Sequence, residues 1–443
     1  MQNSMLDNIV IIGGGAGGLE LACKLGRKLG RARVTLVDRS FYHIWKPSLH
    51  EVAAGTMDMH QEGLPYAMLA HQNHFTFVYG VFTRLDAVNQ TVVIAAVEDA
   101  SGTVAVPERT LPFSRLCIAV GSTSHYFNTP GAAEHTISLN SPGDAERFRL
   151  DMLKHMTRAE NRKQAGHGPD GVDVIIIGGG ATGVELAAEL REASKRYIDY
   201  GFGQLDPVND IRIMLLEGAP RILPPLPERV AQAASALLEQ RHIRVVPGCR
   251  VAQIEPERVI DAAGNSYRYQ ICVWSAGIRA PDFLATLGLP VNQAGQLEVT
   301  GQLNVRGHPH IYALGDCAAC QMEDGRLVPP RAQAAHQQSE YLYRLMLRQL
   351  KAGAELGADA GSAAPYVYRD YGSLVSIGMH TSVGTLMGAL KGRGWFVRGS
   401  VARLLYLSLH LLHHQAVLGW VRTGGLAVAR ALIRRNTALV KLH

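Results

Sequence analysis

Two stretches of the chain repeat one apolar-to-polar pattern. An apolar run, Asn8–Ile12 in the first and Asp173–Ile177 in the second, passes directly into glycines and then into a stretch rich in alanine and leucine. A short unbroken apolar run bounded by glycine predicts a fully buried parallel strand, and the Ala/Leu stretch predicts a helix. Three further apolar runs end on an acid: Arg33–Asp38, Ile211–Glu217 and Ile311–Asp316. Two others, Leu116-Cys-Ile-Ala-Val-Gly121 and Val273-Trp-Ser-Ala-Gly277, end on small residues. Strands alternating with helices predict an α/β fold built from two Rossmann-like dinucleotide-binding domains.

The loops between strand and helix read IIGGGAGGLELA at 11–22 and IIGGGATGVELA at 176–187. The first places Gly13, Gly15 and Gly18 in the G-x-G-x-x-G pattern, with Ala16 and Gly17 between; the second places Gly178, Gly180 and Gly183, with Ala181 and Thr182. One such match is weak, but strand–loop–helix context twice over is specific. The glycines permit a tight turn, close approach of backbone to a pyrophosphate and close helix–strand packing. The phosphate charge then meets free N–H groups at the positive end of the helix. Asp38 follows Gly18 by twenty residues and Glu217 follows Gly183 by thirty-four, so the second crossover carries an insertion around Arg191–Asp210. Each carboxylate is placed to accept hydrogen bonds from a ribose. A carboxylate at Glu217 repels a 2′-phosphate and favours NADH, while nearby Arg221 keeps NADPH open. Two dinucleotide sites in one chain imply redox traffic between them.

Composition adds limits. The 443 residues, 47% apolar, suffice for two domains and an appendage. The N-terminus lacks a basic segment ahead of an apolar one, so no signal peptide is expected. Six scattered cysteines indicate reduced thiols in a cytoplasmic setting, and none is paired beside a glycine loop as a disulfide reductase would require. Cys317-Ala-Ala-Cys320, directly after Asp316, leaves a redox or soft-metal role open against simple packing; no residues are otherwise read as a metal site.

Charge sets the C-terminal segment apart. Residues 371–443 hold nine Lys or Arg and no acid, so they account for the whole excess of +6. Within 401–421, Leu405, Leu409, Leu412, Ala416 and Trp420 fall on one helical stripe, and Arg403, Leu407, His410 and His414 fall opposite. This polar interruption argues against a spanning helix and for one lying in a membrane interface, leucine and tryptophan toward acyl chains and basic groups toward anionic lipid. A second apolar stretch, 426–435, is expected after a break at Gly424-Gly425. Packing on the protein's own body, or a homodimer contact, is the alternative. Sparse aromatics in the tail argue against nucleic acid.

Taken in order, the two loops, Phe41-Tyr-His-Ile-Trp-Lys-Pro-Ser-Leu-His-Glu-Val-Ala53, the Gly315-Asp316 strand, Pro329-Pro-Arg-Ala-Gln-Ala-Ala-His-Gln-Gln338 and the basic apolar tail resemble the type II NADH:quinone oxidoreductases over the whole chain. The resemblance implies a split FAD domain (1–125 and 289–388) with the NADH domain (126–288) inserted, and a C-terminal membrane-associated region (389–443). It implies tightly bound, non-covalent FAD held by the first loop with Asp38, Lys46, Val81, Ala119, Gly121, Gly315 and Asp316. NADH, as substrate, would lie against the second loop with Glu217, Ala276 and Gly277. Gln333 and Gln337, four apart on one helix face, would edge a quinone site beside the flavin, their amides donating without bringing charge. Glu185 would lie near the nicotinamide and quinone and serve a proton role, although Glu20 occupies the same place in the first repeat. The implied reaction is hydride transfer from NADH to flavin and two electrons onward to a membrane quinone, without proton pumping. The implied location is the cytoplasmic face of a bacterial inner membrane, or a mitochondrial membrane face in a eukaryote. A soluble reductase of a protein electron carrier is the alternative.

Overall fold

The computed structural model describes residues 8–166, 171–352, 363–378, 381–387, 394–433 and 440–441. The principal elements run β1 (Ile9–Ile12), α1 (Ala16–Leu29), β2 (Val34–Asp38), α2 (Leu49–Ala54), α3 (Tyr66–Asn73), β3 (Thr76–Tyr79) and β4 (Arg115–Ile118). Next come β5 (Ile137–Ser138), α4 (Pro142–Gln164), β6 (Val172–Ile177), α5 (Ala181–Gly201), β7 (Ile211–Glu217), α6 (Glu228–Glu239), β8 (Ile243–Pro247) and β9 (Ile271–Trp274). The last stretch holds β10 (Ile311–Ala313), α7 (Ala332–Ala352), β11 (Gly372–Ser376), β12 (Ser382–Met387), β13 (Gly394–Gly399), α8 (Ser400–Leu418) and α9 (Trp420–Ile433).

Two parallel five-stranded sheets result, ordered β10-β4-β1-β2-β3 and β5-β9-β6-β7-β8. The neighbourhoods of their glycine loops are the same: the loop strand is central, the acid-ended strand lies on one side and a strand ending in small residues on the other. Parallel strands buried on both faces need continuous apolar sequence, and β1 is buried at all four positions. Strand β10 pairs with β4 (Leu116↔Ile311), so the chain returns to its first sheet after building the second. The two connections between the sheets pair with each other, Thr123 opposite Arg279 and Ser124 opposite Ile278. Each sheet has its own apolar core, but Leu49, Val52 and Ala53 of α2 belong to the core of the second.

The insertion expected around Arg191–Asp210 appears largely as helix. α5 has 21 residues where α1 has 14, and fully buried Arg191, midway along α5, donates to the carbonyls of Pro207 and His242.

The tail departs from expectation. β11, β12 and β13 form an antiparallel sheet, and α8 packs back on it and on α1 and α3. α8 turns His413 and His414 inward, against the protein's own body rather than toward lipid phosphates, while Leu409, Leu412 and Trp420 of the expected apolar stripe face outward. Ala402, Tyr406, His413, His414, Ala416 and Val417 are buried, whereas Val401, Leu404, Leu407, Leu409, Leu411 and Leu412 are exposed. Arg403 does not point to lipid phosphates either; it donates to Ser376 Oγ at 3.0 Å. The physical reason is that the imidazoles find buried partners on the body of the protein, so the polar stripe becomes the docking face. The helix break also moves. It falls at Gly419, whose φ of +81° ends α8, and α9 runs through Gly424-Gly425. A glycine inside a helix costs only about 1 kcal/mol, whereas a left-handed glycine just after it stops the helix outright. Arg434 and Arg435 lie outside the described residues. Among the described residues no helix is long and apolar enough to cross a membrane.

Candidate functional site

Each glycine loop is closed by the acid expected of it. Asp38 Oδ2 accepts from Gly14 N at 2.6 Å, and its Oδ1 accepts from Ser40 N at 2.8 Å. Glu217 repeats the arrangement, Oε2 accepting from Gly179 N at 2.6 Å and Oε1 from Ala219 N at 2.7 Å. Burial lifts the Asp38 pKa above its ordinary value against the pull of these amides. The carboxylates therefore stand fixed at the lip of each loop, where the helix N-termini of α1 and α5 open. A Cβ added to Gly15 or Gly180 would meet nothing within 4 Å, so open space faces the N-terminal N–H groups of both helices. That is the room and the polarity a pyrophosphate requires, and the residues fit a dinucleotide at each loop. Arg221, the residue that kept NADPH open, is committed elsewhere: its guanidinium donates to the carbonyls of Leu223, Pro224 and Leu226.

The remaining cofactor candidates converge on the first loop. Ala119 lies against Gly13, and beyond Gly121 there is open space. Lys46 Nζ donates to Ser122 O at 2.8 Å, and Ser122 Oγ donates to Asp316 Oδ2 at 2.7 Å. Burial pulls the Lys46 pKa down, partly offset by the Asp316 charge. Gly315 N donates to Gln338 Oε1 at 2.7 Å, so α7 is fastened to the Gly-Asp turn by a glutamine one residue past the pair singled out from the sequence. Val81 lies just past β3, whose Tyr79 is the register partner of Asp38. On the second loop, Gly178 and Gly183 back onto Ser275 and Gly178 onto Ala276 as well, while Gly277 lies under the Phe127 ring. Sequence reasoning missed Ser122 and Gln338. Gln338 had a signal, being the second of two adjacent glutamines, with Gln337 on the outer face.

Gln333 and Gln337 lie on the first turns of α7, but their amides are engaged. Gln337 makes two bonds with the backbone of Arg369, donating to its O at 2.8 Å and accepting from its N at 3.0 Å. Gln333 donates to Gly372 O and accepts from Tyr371 N at 3.2 and 3.3 Å. They hold the 369–372 segment across the start of α7.

Glu185, just past the first turn of α5, lies in a buried polar cluster. Its Oε1 accepts from Ser376 N at 3.0 Å and its Oε2 is 3.6 Å from His50 Nδ1. Burial, helped by the charges of Glu51 and Glu189, pushes its pKa up to about 8, and burial pulls His50 down to about 4. At neutral pH both are uncharged, an acid carrying its proton beside a bare imidazole. Glu20, its counterpart in the first repeat, is instead bonded to Lys24 at 2.5 Å and to His336 at 2.8 Å. The repeat therefore has two different outcomes: an ion-paired acid in one copy and a proton-holding acid in the other.

Cys317 and Cys320 are buried free thiols whose pKa burial pushes up to about 11. Cys317 Sγ donates to the carbonyls of Leu314 and Ile118. Burial of both thiols favours the packing reading, since a reactive thiol has its pKa lowered rather than raised.

Comparisons with known proteins agree with this geometry. Residues 7–339 match the pyridine nucleotide-disulphide oxidoreductase family. The chain is 36% identical to the type II NADH:quinone oxidoreductase of Haemophilus influenzae, over 99% of this chain and all of the relative. It is 27% identical to the type II NADH:quinone oxidoreductase Ndh of Mycobacterium tuberculosis, over 91% of this chain and 84% of that protein. In fold it superposes on NDH2 of Plasmodium falciparum, determined in complex with NADH, with a TM-score of 0.77 at 18% identity, covering 93% of this chain and 97% of the other. Doubled loops, paired acids, a strand that returns to the first sheet and identity over the full length together place this chain in the type II NADH:quinone oxidoreductases, within the pyridine nucleotide-disulphide oxidoreductase family.

Proposed function

We propose that this protein oxidises NADH and reduces a membrane quinone by two electrons, using FAD held at the first glycine loop. The observation that carries it is the duplication: two dinucleotide loops, each with its own acid fixed at the lip. FAD, when bound, supplies the ring that accepts a hydride and gives up its electrons to quinone. The chain's own residues do the rest. N–H groups at the start of α1 and α5 hold the two pyrophosphates, and Asp38 and Glu217 take ribose hydroxyls. Lys46, Ser122 and Asp316 set the charge beside the Gly121 opening. Glu185 holds a proton in a dry site at the start of α5, where product quinol needs one. Gln333 and Gln337, releasing the 369–372 segment, offer neutral donors to a quinone carbonyl. The reaction runs without proton pumping, in keeping with the lack, among the described residues, of a helix long and apolar enough to cross a membrane.

The test is kinetic. Gln337→Leu is expected to leave flavin reduction by NADH within about twofold in stopped flow while slowing reoxidation by a soluble quinone at least about tenfold, the scale of one lost charge-free hydrogen bond at a transition state. In the same assay NADH should outperform NADPH clearly, because Arg221 is tied to its own loop. Unchanged reoxidation in both Gln337→Leu and Gln333→Leu puts the quinone site elsewhere.

The lipid contact we assign to the outer face of α8 and to α9. Leu404, Leu407, Leu411, Leu412, Trp420 and Val421 are all exposed, a concentration of large apolar side chains on two successive helices of the kind that marks an interaction surface. It suits the acyl boundary of the cytoplasmic leaflet, on the side where NADH is made. Removing the tail is no clean test, because α8 covers the body of the protein and Lys441 is bonded to Gly55, Asp58 and Glu146. Leu404→Glu with Leu411→Glu is the sharper probe. In flotation with anionic vesicles the double variant should remain at the bottom while NADH–ferricyanide activity stays within about twofold; continued flotation would refute the assignment.

A further inference from the structure

The histidines that α8 turns inward make a defined proton count. His43 Nδ1 lies 3.0 Å from the Gly14 carbonyl, in the first glycine loop, and its Nε2 lies 2.8 Å from His413 Nε2. A carbonyl only accepts, so His43 must carry its proton on Nδ1. Its Nε2 is then a bare acceptor, and His413 must donate from Nε2. The chain of bonds is therefore fixed from His413 to His43 to Gly14, and it joins α8 to the nucleotide loop. Tyr66 Oη donates to the same carbonyl at 2.7 Å, which pins the loop end.

That arrangement admits one further proton on the pair but not two. With one, a single N–H still lies between the facing nitrogens; with both rings imidazolium, two N–H groups would face each other at 2.8 Å, and the bond cannot hold. A proton added to His413 goes to Nδ1 and leaves the shared bond intact, but it places charge in a buried cluster of bases. The groups facing the pair are His410 and His414 from α8 itself and His336 from α7. His410 and His414 are stacked, with ring centroids 4.4 Å apart. Trp45 closes the edge, and Glu62 lines the cleft next to His43, His410 and His414. From α1, Glu20 is paired with Lys24 and His336, and Arg27 donates to Ala416 O at the end of α8.

We infer that the His43–His413 bond is a pH-sensitive latch: it holds α8 against the nucleotide domain while both rings are neutral, and it opens when they take up protons. This goes beyond the proposed reaction and does not depend on which acceptor the enzyme uses. The sign follows from burial, which pulls His43 down to about 4 and His413 well below its ordinary value. Released rings return to the ordinary value of 6.5. The docked state therefore keeps its full advantage above about pH 6.5 and loses it progressively as pH falls toward about 4, by about tenfold in the docking equilibrium per pH unit for each proton taken up. Other ties fail later, because the carboxyls that hold Lys441, Asp58 and Glu146, have pKa values lowered by their hydrogen bonds and charges.

Hydrogen–deuterium exchange of residues 400–418 in the full-length flavoprotein, in detergent, between pH 5 and 8, corrected for intrinsic rates, tests this. The expected result is constant protection above pH 7 and a fall of about tenfold or more per pH unit below 6.5. His413→Gln puts an amide N–H in the Nε2 position that cannot gain a proton, and His43→Gln removes the imidazolium on the other side. At least one of these variants should flatten the profile, while His410→Gln, outside the shared bond, should keep it. Protection in the unmodified protein that is equal at pH 7.5 and 5, or an unaltered fall in both His413→Gln and His43→Gln, overturns the latch.

Discussion

Gly18→Val is expected to give a protein that purifies colourless, whereas Gly183→Val is expected to stay yellow and lose its response to NADH. A Cβ at Gly18 would come 2.0 Å from the Gly13 carbonyl oxygen, and one at Gly183 would come 2.0 Å from the Gly178 carbonyl oxygen. Both obstacles are backbone, so no rotamer change relieves them. The loop must open by about an ångström, and misplacement on that scale costs about a hundredfold or more in binding or alignment. The two losses fall in different places because the two loops belong to different sheets with separate cores. Flavin absorbance after gel filtration reads the first. For the second, dithionite should still bleach the flavin while stopped-flow reduction by NADH slows at least about a hundredfold. Flavin at full occupancy in Gly18→Val would remove the first loop from the cofactor assignment.

The nucleotide half of the molecule was legible because its chemistry is local. A glycine loop needs only its own strand and helix, and Asp38 and Glu217 end strands that neighbour the loop strand directly. The Gly315-Asp316 turn was legible for the same reason, a buried strand with a sharp end. The tail was not. His413 reads as a polar residue on an amphipathic helix, and the partner that draws it inward is 370 residues away. Periodicity assigns residues to faces but cannot say which face turns to the body when the body offers a buried acceptor. The same limit applies to Gln333 and Gln337: their spacing puts them on one face, yet the backbone they grip, 369–372, carries no pattern that announces it. Glu185 and Glu20 make the point most directly. Their local sequences are nearly identical, and their surroundings differ because Lys24 and His336 attend one and Ser376 and His50 attend the other.

Glu185→Gln should make the enzyme more stable at alkaline pH and much slower with quinone. In the unfolded chain the carboxyl titrates near its ordinary 4.5, and in the folded protein near 8. Below pH 4.5 both states are protonated, and the group contributes nothing to the pH dependence. Between 4.5 and 8 the unfolded chain releases its proton while the folded protein keeps it, so stability falls by about 1.4 kcal/mol per pH unit. By pH 8 the accumulated cost has an upper limit of about 4–5 kcal/mol on that slope. An amide at this position keeps the bond accepted from Ser376 N and has no proton to lose. Its melting temperature should therefore exceed that of the unmodified protein by several degrees at pH 8, and the difference should vanish near pH 5. A gap of equal size at both pH values would mean that packing, not proton retention, separates the two proteins. Catalysis should move the opposite way. Without an acid in the dry site beside the start of α5, the step that delivers a proton to reduced quinone should slow by about a hundredfold, the usual scale for a lost general acid. Flavin reduction by NADH needs no proton from this group and should change far less. A variant that is both more stable and selectively slow in the second half-reaction is what a strained, functional carboxyl predicts, since a residue kept only for the fold would not destabilise it.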